Sequence, residues 1–220
     1  MSEPERFLRE FHAARPGITA RAWERGGSYD RLARLLPART LDLACGNGPL
    51  LRRLGPSSVG VDFSLAEATL AGAICGRAQA LPFRAGAFDA VACHLAFMLF
   101  DELERVVAEI DRVLAPGGAF LAVLGGGPTA DGYDAHHELL DALPPRAIPR
   151  LGDPRARTEA GWRALFAGWD LAPFERWELD FSGDAWGFLS AAYEAPPEPV
   201  PLTQTACRAV VFLARATKPR

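Results

Sequence analysis

Leu41-Asp42-Leu43-Ala44-Cys45-Gly46-Asn47-Gly48 is followed, 14 residues after Gly48, by Asp62 in Gly60-Val61-Asp62-Phe63-Ser64. The first stretch reads as a strand. Leu41, Leu43 and Cys45 alternate with smaller or polar residues until Gly46-Asn47-Gly48 breaks the run. A glycine turn at a strand end lets backbone come close to a ligand. Val59-Gly60-Val61-Asp62 reads as a second strand, ending in a carboxylate that can accept hydrogen bonds from two vicinal hydroxyls. Together, at the carboxyl edge of one sheet, these features point to the ribose of a nucleoside cofactor.

Outward from this pair the chain alternates strands and helices. A short helix is expected through Leu50, Leu51 and Leu54, stopped by Gly55-Pro56. Ser64, with Glu67 three residues on, forms a capping-box pattern for a helix running to about Ile74. Ala78–Leu81 is expected as a third strand closed by Pro82, and Phe88–Cys93 as a fourth. Between Glu102 and Leu114, Leu103, Val106, Val107, Ile110, Val113 and Leu114 fall at helical spacing, and Pro116-Gly117-Gly118 ends that helix. Ala119–Leu124 is a wholly apolar fifth strand. Such alternation predicts a doubly wound, three-layer αβα domain around a mostly parallel sheet.

Upstream, residues 3–36 read as helices broken at Arg15-Pro16-Gly17, with Trp23, Leu32, Leu35 and Leu36 available to a core. Downstream, a loop and short helix around Tyr133–Leu143 precede a helix near Thr158–Ala167. A strand over Trp169–Phe181, a helix around Asp184–Tyr193, a stiff turn at Ala195–Pro199 and a last strand at Cys207–Thr217 complete the pattern.

Several motifs in this order resemble the class I, S-adenosylmethionine-dependent methyltransferase family. LDLACGNG is similar to its first motif, GVDFS to its second, and Ala78-Gln79-Ala80-Leu81-Pro82-Phe83 to its adenine-side motif. Gly86–Val91 resembles the fourth strand, and Arg112–Gly118 the turn before the fifth. The resemblance covers roughly residues 38–125. It implies a Rossmann-like sheet of seven strands with a reversed last strand, and S-adenosyl-L-methionine as cofactor with S-adenosyl-L-homocysteine as product.

The resemblance also implies roles. Asp42 and the turn at Gly46 and Gly48 would hold the methionine portion, partly through water, with Ala44 and Asn47 also at the cofactor, Asp62 at the ribose and Phe63 on the adenine face. Ala78, Gln79 and Ala80 would sit at the adenine edge. Ala44 stands where a glycine is usual. Arg77 stands where many relatives carry an acidic residue for the adenine amine, and arginine cannot accept that bond. Residues 1–36 would form an N-terminal helical lid hinged at Pro16-Gly17. Residues 37–220 would be the methyltransferase domain, with an acceptor-pocket insertion around 125–157.

Displacing a methyl group from a sulfonium needs alignment and exclusion of water, and a base only if the acceptor loses a proton. His94, after the fourth strand, is the first candidate base and also a cofactor-pocket residue, since histidine can titrate near neutrality. His136 and His137, beyond the fifth strand, are the next candidates, and His12 lies in the prospective lid. Tyr29, Tyr133 and Trp186 could shape an apolar acceptor pocket.

Other chemistries lack their patterns. The third position of a dinucleotide GxGxxG fingerprint falls on Leu51, which disfavours a nicotinamide-dependent oxidoreductase. No GxSxG elbow and no phosphate loop ending in Gly-Lys-Ser/Thr occur. No histidine pair has spacing for a metal. The net charge of −3 and scattered basic residues, all arginine except Lys218, give no nucleic-acid face. Cys93-His94-Leu95-Ala96 occupies the place where an (N/D)PPY motif would mark a nucleic-acid or protein methyltransferase.

The four cysteines form no CxxC pair and are expected as buried free thiols. Hydrophobic residues make up 49% and charged residues 23%, and the longest apolar runs, such as Leu95–Phe100, fall short of a membrane span. The expectation is a soluble, cytoplasmic enzyme methylating oxygen, nitrogen or carbon of a small-molecule acceptor, away from membranes. Its oligomeric state is open. The alternative is a cofactor-binding protein of the same fold that acts by rearrangement or as a partner.

Overall fold

The structure, a computed structural model, describes residues 3–130, 132–142, 151–192 and 201–220. Seven strands form one sheet: β1 (Thr40–Leu43), β2 (Val59–Asp62), β3 (Ile74–Cys75), β4 (Phe88–His94), β5 (Leu114–Pro128), β6 (Asp170–Asp180) and β7 (Arg208–Thr217). Their spatial order is β3-β2-β1-β4-β5-β7-β6. Parallel pairing links β3 through β5, and β7 runs antiparallel to both β5 and β6. This is the expected Rossmann-like sheet with a reversed last strand.

Every residue of β1 is buried, because helices cover both faces of a parallel sheet. In register, Asp42 lies between Gly60 of β2 and Ala92 of β4. The chain leaves β1 toward β2 on one side and returns to β4 on the other. The crevice at the carboxyl end of β1 is therefore the topological switch point, where such sheets bind ligands.

Eight helices flank the sheet among the described residues: α1 (Glu3–Ala14), α2 (Ile18–Glu24), α3 (Ser28–Ala33), α4 (Leu65–Ala71), α5 (Leu103–Val113), α6 (Ala135–Ala142), α7 (Glu159–Leu165) and α8 (Ala185–Ala192). In α5, Val106, Ile110 and Val113 are fully buried, as their spacing predicts. Trp162 of α7 stacks on Phe120 of β5 at 5.5 Å between centroids.

The three N-terminal helices differ in how they attach. Tyr29 and Leu32 of α3 belong to the core. Trp23 of α2 packs edge-on against Phe181 and Phe188, and so ties α2 to the C-terminal half. By contrast, α1 rests on α4.

Several local expectations need correction. The third strand is Ile74–Cys75, not Ala78–Leu81. Gly72 adopts a left-handed conformation (φ 63°) that ends α4 after Ala71, freeing the next residues to pair with β2. Residues 77–80 instead form a tight turn closed by an Arg77–Ala80 bridge. The helix expected near Leu50–Leu54 is one 3-10 turn, Leu51–Arg53.

Cys75 is exposed rather than buried, because β3 is the sheet edge and shows both residues to solvent. The other three thiols are buried and free. The expected turn at Ala195–Pro199 lies outside the described residues, as do Leu143, Tyr193 and, within the 125–157 segment, residues 131 and 143–150. No helix among the described residues is long and apolar enough to cross a membrane.

Candidate cofactor site

At the switch point lies a cavity of about 240 Å³. Asp42, Ala44, Gly46, Asn47, Asp62, Phe63, Ala78, Gln79 and His94 line it, which brings nearly all the expected cofactor residues together. Ala80 faces away, since the 77–80 turn directs only Arg77, Ala78 and Gln79 inward.

The backbone here is held in an uncommon shape. Gly46 and Gly48 have φ of 54° and 81°, and two non-glycine residues, Ala44 and Leu95, both sit at φ 57°. These follow β1 and β4, on either side of the crevice. Left-handed backbone costs an L-residue about 1–2 kcal/mol. Such strain collects where function imposes it.

Asp62 is buried and already engaged. Its Oδ2 accepts the Gly46 N–H at 2.9 Å and its Oδ1 accepts the Ser64 N–H at 2.8 Å. The carboxylate thus joins the two motifs into one rigid unit, with lone pairs left for a ligand. Burial raises its pKa, and the two amides and the nearby His12 oppose that rise.

Asp42 is 1% exposed. Burial, then the neighbouring Asp62 charge, push its pKa up to about 7. Burial likewise raises the Cys45 and Cys93 thiols, so neither is a ready thiolate.

His94 is the last residue of β4. Its Nε2 lies 2.8 Å from the Ser28 hydroxyl, and its ring stacks on Tyr29 at 3.9 Å. Burial, aided by Arg53, lowers its pKa to about 3. The expectation that it titrates near neutrality therefore does not hold, because a desolvated imidazolium is disfavoured. NMR of the His94 ring should show no titration between pH 5 and 8. A midpoint inside that window would contradict the burial argument.

The other histidines separate. His12 reaches the cavity from α1. His136 is buried, its Nδ1 3.1 Å from the Arg208 carbonyl, and it lines a neighbouring depression. His137 lines neither space, because it pairs with Asp134 at 2.9 Å and stacks on Tyr133. Tyr133 is exposed and donates to Asp141, so it shapes no pocket. Trp186 is half-buried and lines neither space, whereas Tyr29 does line the cofactor cavity.

Local sequence rules missed Glu67. Ser64 accepts the Glu67 N–H at 3.5 Å, as a cap should. The reciprocal half of the capping box is absent, because Asp62 has taken the Ser64 N–H. The freed Glu67 carboxylate turns into the cavity. There its Oε1 accepts the Gly17 N–H at 2.8 Å and lies 3.2 Å from His12 Nδ1. Gly17 (φ 74°) also packs on Asn47, since a Cβ there would lie 2.5 Å from Asn47 Nδ2.

Arg77, the departure noted at the adenine edge, pairs with Glu5 of α1. Glu5 also lines the cavity, so this pair ties α1 to the 77–80 turn across 72 residues of sequence. The Gln79 side-chain amide donates to the Asp101 carbonyl at 3.1 Å, which commits one of its two N–H groups to structure.

One observation tests whether a nucleoside cofactor fits. Asp42 Oδ2, Asn47 Oδ1, Glu67 Oε2 and His94 Nδ1 are buried and without hydrogen-bond partners among the described residues, and all four belong to this cavity's lining. Unpaired buried polar atoms cost free energy, so their gathering around one cavity marks a space shaped for a polar ligand. Among the described residues no group of three His, Cys, Asp or Glu could hold a metal.

Fold and site thus define a doubly wound domain with a nucleoside-cofactor cavity at its switch point. Residues 41–122 match the family model described as a methyltransferase domain. This domain match, the methyltransferase relatives and the fold together support a class I S-adenosylmethionine-dependent methyltransferase. It is 28% identical over 168 residues to the uncharacterized methyltransferase YcgJ of Bacillus subtilis, covering 67% of this chain and 63% of that one. It is 32% identical over 164 residues to the ubiquinone/menaquinone biosynthesis C-methyltransferase UbiE of Methylobacterium nodulans, covering 66% and 64%.

The chain therefore spans less than two thirds of the length of these curated relatives. The crystal structure of YcgJ superposes with a TM-score of 0.57 at 19% identity, covering 88% of this chain and 98% of that one. A [4+2]-cyclase, SpnF, shares the fold at a TM-score of 0.51 and 21% identity, covering 86% of this chain and 80% of that one.

Proposed function

We propose that this protein transfers a methyl group from S-adenosyl-L-methionine to a small-molecule acceptor by in-line displacement. The observation that carries this reading is the set of four unpaired buried polar atoms, from Asp42, Asn47, Glu67 and His94, whose residues line the cavity. When bound, the cofactor supplies an activated methyl on a positive sulfur.

The chain's own residues would do the rest. Asp62 would accept the ribose hydroxyls, and Phe63 would pack on the adenine. Asp42 and the turn at Gly46 and Asn47 would face the methionine portion, partly through water. Neutral His94, held by Ser28 and Tyr29, would line the reacting end and present Nδ1 as an acceptor. With so low a pKa it serves better to orient a donor than to carry a proton away.

The second reading is cofactor binding without methyl transfer. The cyclase that shares the fold keeps this reading open, since folds host many reactions. Incubating the protein with S-adenosylmethionine carrying a labelled methyl group and a soluble metabolite extract separates the two. Label moving into a small molecule supports transfer. Tight binding of cofactor with no transferred label favours the alternative.

The lid reading takes a narrower form than residues 1–36. In this form the lid is α1 alone, because α2 and α3 are packed into the body through Trp23, Tyr29 and Leu32. The contacts of Glu5 with Arg77, and of His12 and Gly17 with Glu67, would hold α1 over the cofactor. Deleting residues 1–14 should raise the S-adenosylmethionine dissociation constant about three- to tenfold, or roughly 0.7–1.4 kcal/mol. An unchanged constant by calorimetry sinks the lid.

A further inference from the structure

Beside the cofactor cavity, at the carboxyl ends of β4 and β5, lies an open depression of about 340 Å³. The two spaces share Thr19 and Leu95. Trp23, Leu95 and Met98 make an apolar and aromatic wall, and Gly125 and Gly127 of β5 add no side-chain bulk. Arg157 completes it as the one permanent cation of the described lining, and no carboxylate lines the depression. His136 is on the same wall, where burial favours its neutral form and so adds no second charge.

Arg157 is built into place. It ends a 3-10 turn, Pro154–Arg157, that Asp153 caps. Ala156 beside it is fully buried, and Trp162 Nε1 donates to the Ala156 carbonyl at 2.8 Å. Gly152, just before the turn, sits so close to the Met98 carbonyl that a Cβ would lie 2.1 Å from it. The turn is therefore seated on the segment that carries Met98.

Arg155, two residues earlier, spends its guanidinium on Asp153 and Glu104. Arg157 forms no ion pair among the described residues, and its Nη1 contact is the Met98 sulfur at 3.2 Å, a weak acceptor. A guanidinium without a counter-ion among the described residues, beside an aromatic wall, matches an anion with two adjacent oxygens, which it can grip with two parallel hydrogen bonds.

We propose that this depression is the acceptor site, and that it selects a molecule with an apolar body and an anionic group, a carboxylate or phosphate monoester, gripped by Arg157. The proposal rests on the methyltransferase reading of the adjoining cavity. The apolar body lies against Trp23 and Met98, and the shared edge at Thr19 and Leu95 is where the acceptor atom meets the cofactor cavity.

The test follows the Trp23 indole N–H by NMR, assigned with Trp23→Phe. The titrants are 3-phenylpropanoate, its amide and phenyl phosphate, each with and without S-adenosylhomocysteine. The acid should bind at least about tenfold tighter than the amide. Arg157→Gln should erase that preference, and Arg157→Lys should keep part of it. Phenyl phosphate binding alongside or in place of the acid keeps the anionic class and tells which group is preferred.

An amide that binds as well as the acid overturns the proposal. So does a preference that survives Arg157→Gln, or the absence of any shift at Trp23. Failure of S-adenosylhomocysteine itself to bind counts against the methyltransferase reading, while the charge preference is still read from the cofactor-free titration.

Discussion

Asp62→Ala weakens S-adenosylmethionine binding at least about tenfold, and up to about a thousandfold, in a calorimetric comparison with wild type. The range follows from the bonds lost. A hydrogen bond to a charged acceptor contributes about 1.5–3 kcal/mol, so losing one weak bond gives about tenfold, and losing both ribose hydroxyls at about 2 kcal/mol each gives about a thousandfold. The same substitution strips the Gly46 and Ser64 N–H groups of their acceptor, so the turn that approaches the cofactor loses its brace. Asp62→Asn keeps one acceptor oxygen and should fall between the two. Equal affinity in wild type and Asp62→Ala would place the ribose elsewhere.

The second large effect joins stability to binding at Asp42. Burial and the Asp62 charge raise its pKa from 3.8 to about 7 in the folded protein. A carboxyl with a raised folded pKa holds its proton more tightly folded than unfolded. Its cost is absent below pH ~4, grows as pH rises to about 7, and is constant above. At pH 8 the cost is on the order of a few kcal/mol, at 1.36 kcal/mol per pKa unit.

Asp42→Asn removes that cost. Its melting temperature without cofactor should rise by several degrees, roughly 2–4 °C per kcal/mol at this size, at pH 8 but not at pH 4. Binding should move the other way. The cofactor brings positive charge to a site where Asp42 is half-protonated near neutrality, so wild-type affinity should increase from pH 6 to pH 8. In Asp42→Asn affinity should be weaker and that slope flattened. Thermal melts and titrations at three pH values check both halves. A variant no more stable at pH 8 than wild type would contradict the burial argument.

What the sequence made legible were features decided within one element or by spacing. The apolar run 119–124, the α5 periodicity and the strand–glycine–carboxylate pairing all depend on neighbours a few residues away, and their places in the sheet follow from right-handed crossovers. The β3 edge was not legible, because a two-residue strand has too little pattern to outweigh the apparent continuation of α4 toward Ile74.

Glu67 was misread for a related reason. The capping-box rule is local, whereas its carboxylate is drawn away by partners 50 and 55 residues distant, Gly17 and His12. The Arg77–Glu5 pair and the Ser28–His94 contact likewise cross from the N-terminal helices to the sheet edge, and no spacing rule reaches that far. His94 ends β4 and lines the cavity, but its protonation depends on burial beneath Tyr29, which only the packed structure reveals.

The most direct measurement is a calorimetric titration of the wild-type protein with S-adenosylmethionine, with NAD as the comparison. Saturable, one-to-one binding in the micromolar range, with no heat from NAD, is the expected result. A well-folded protein that takes up no S-adenosylmethionine would contradict the reading of the cavity, and with it the proposed methyl transfer.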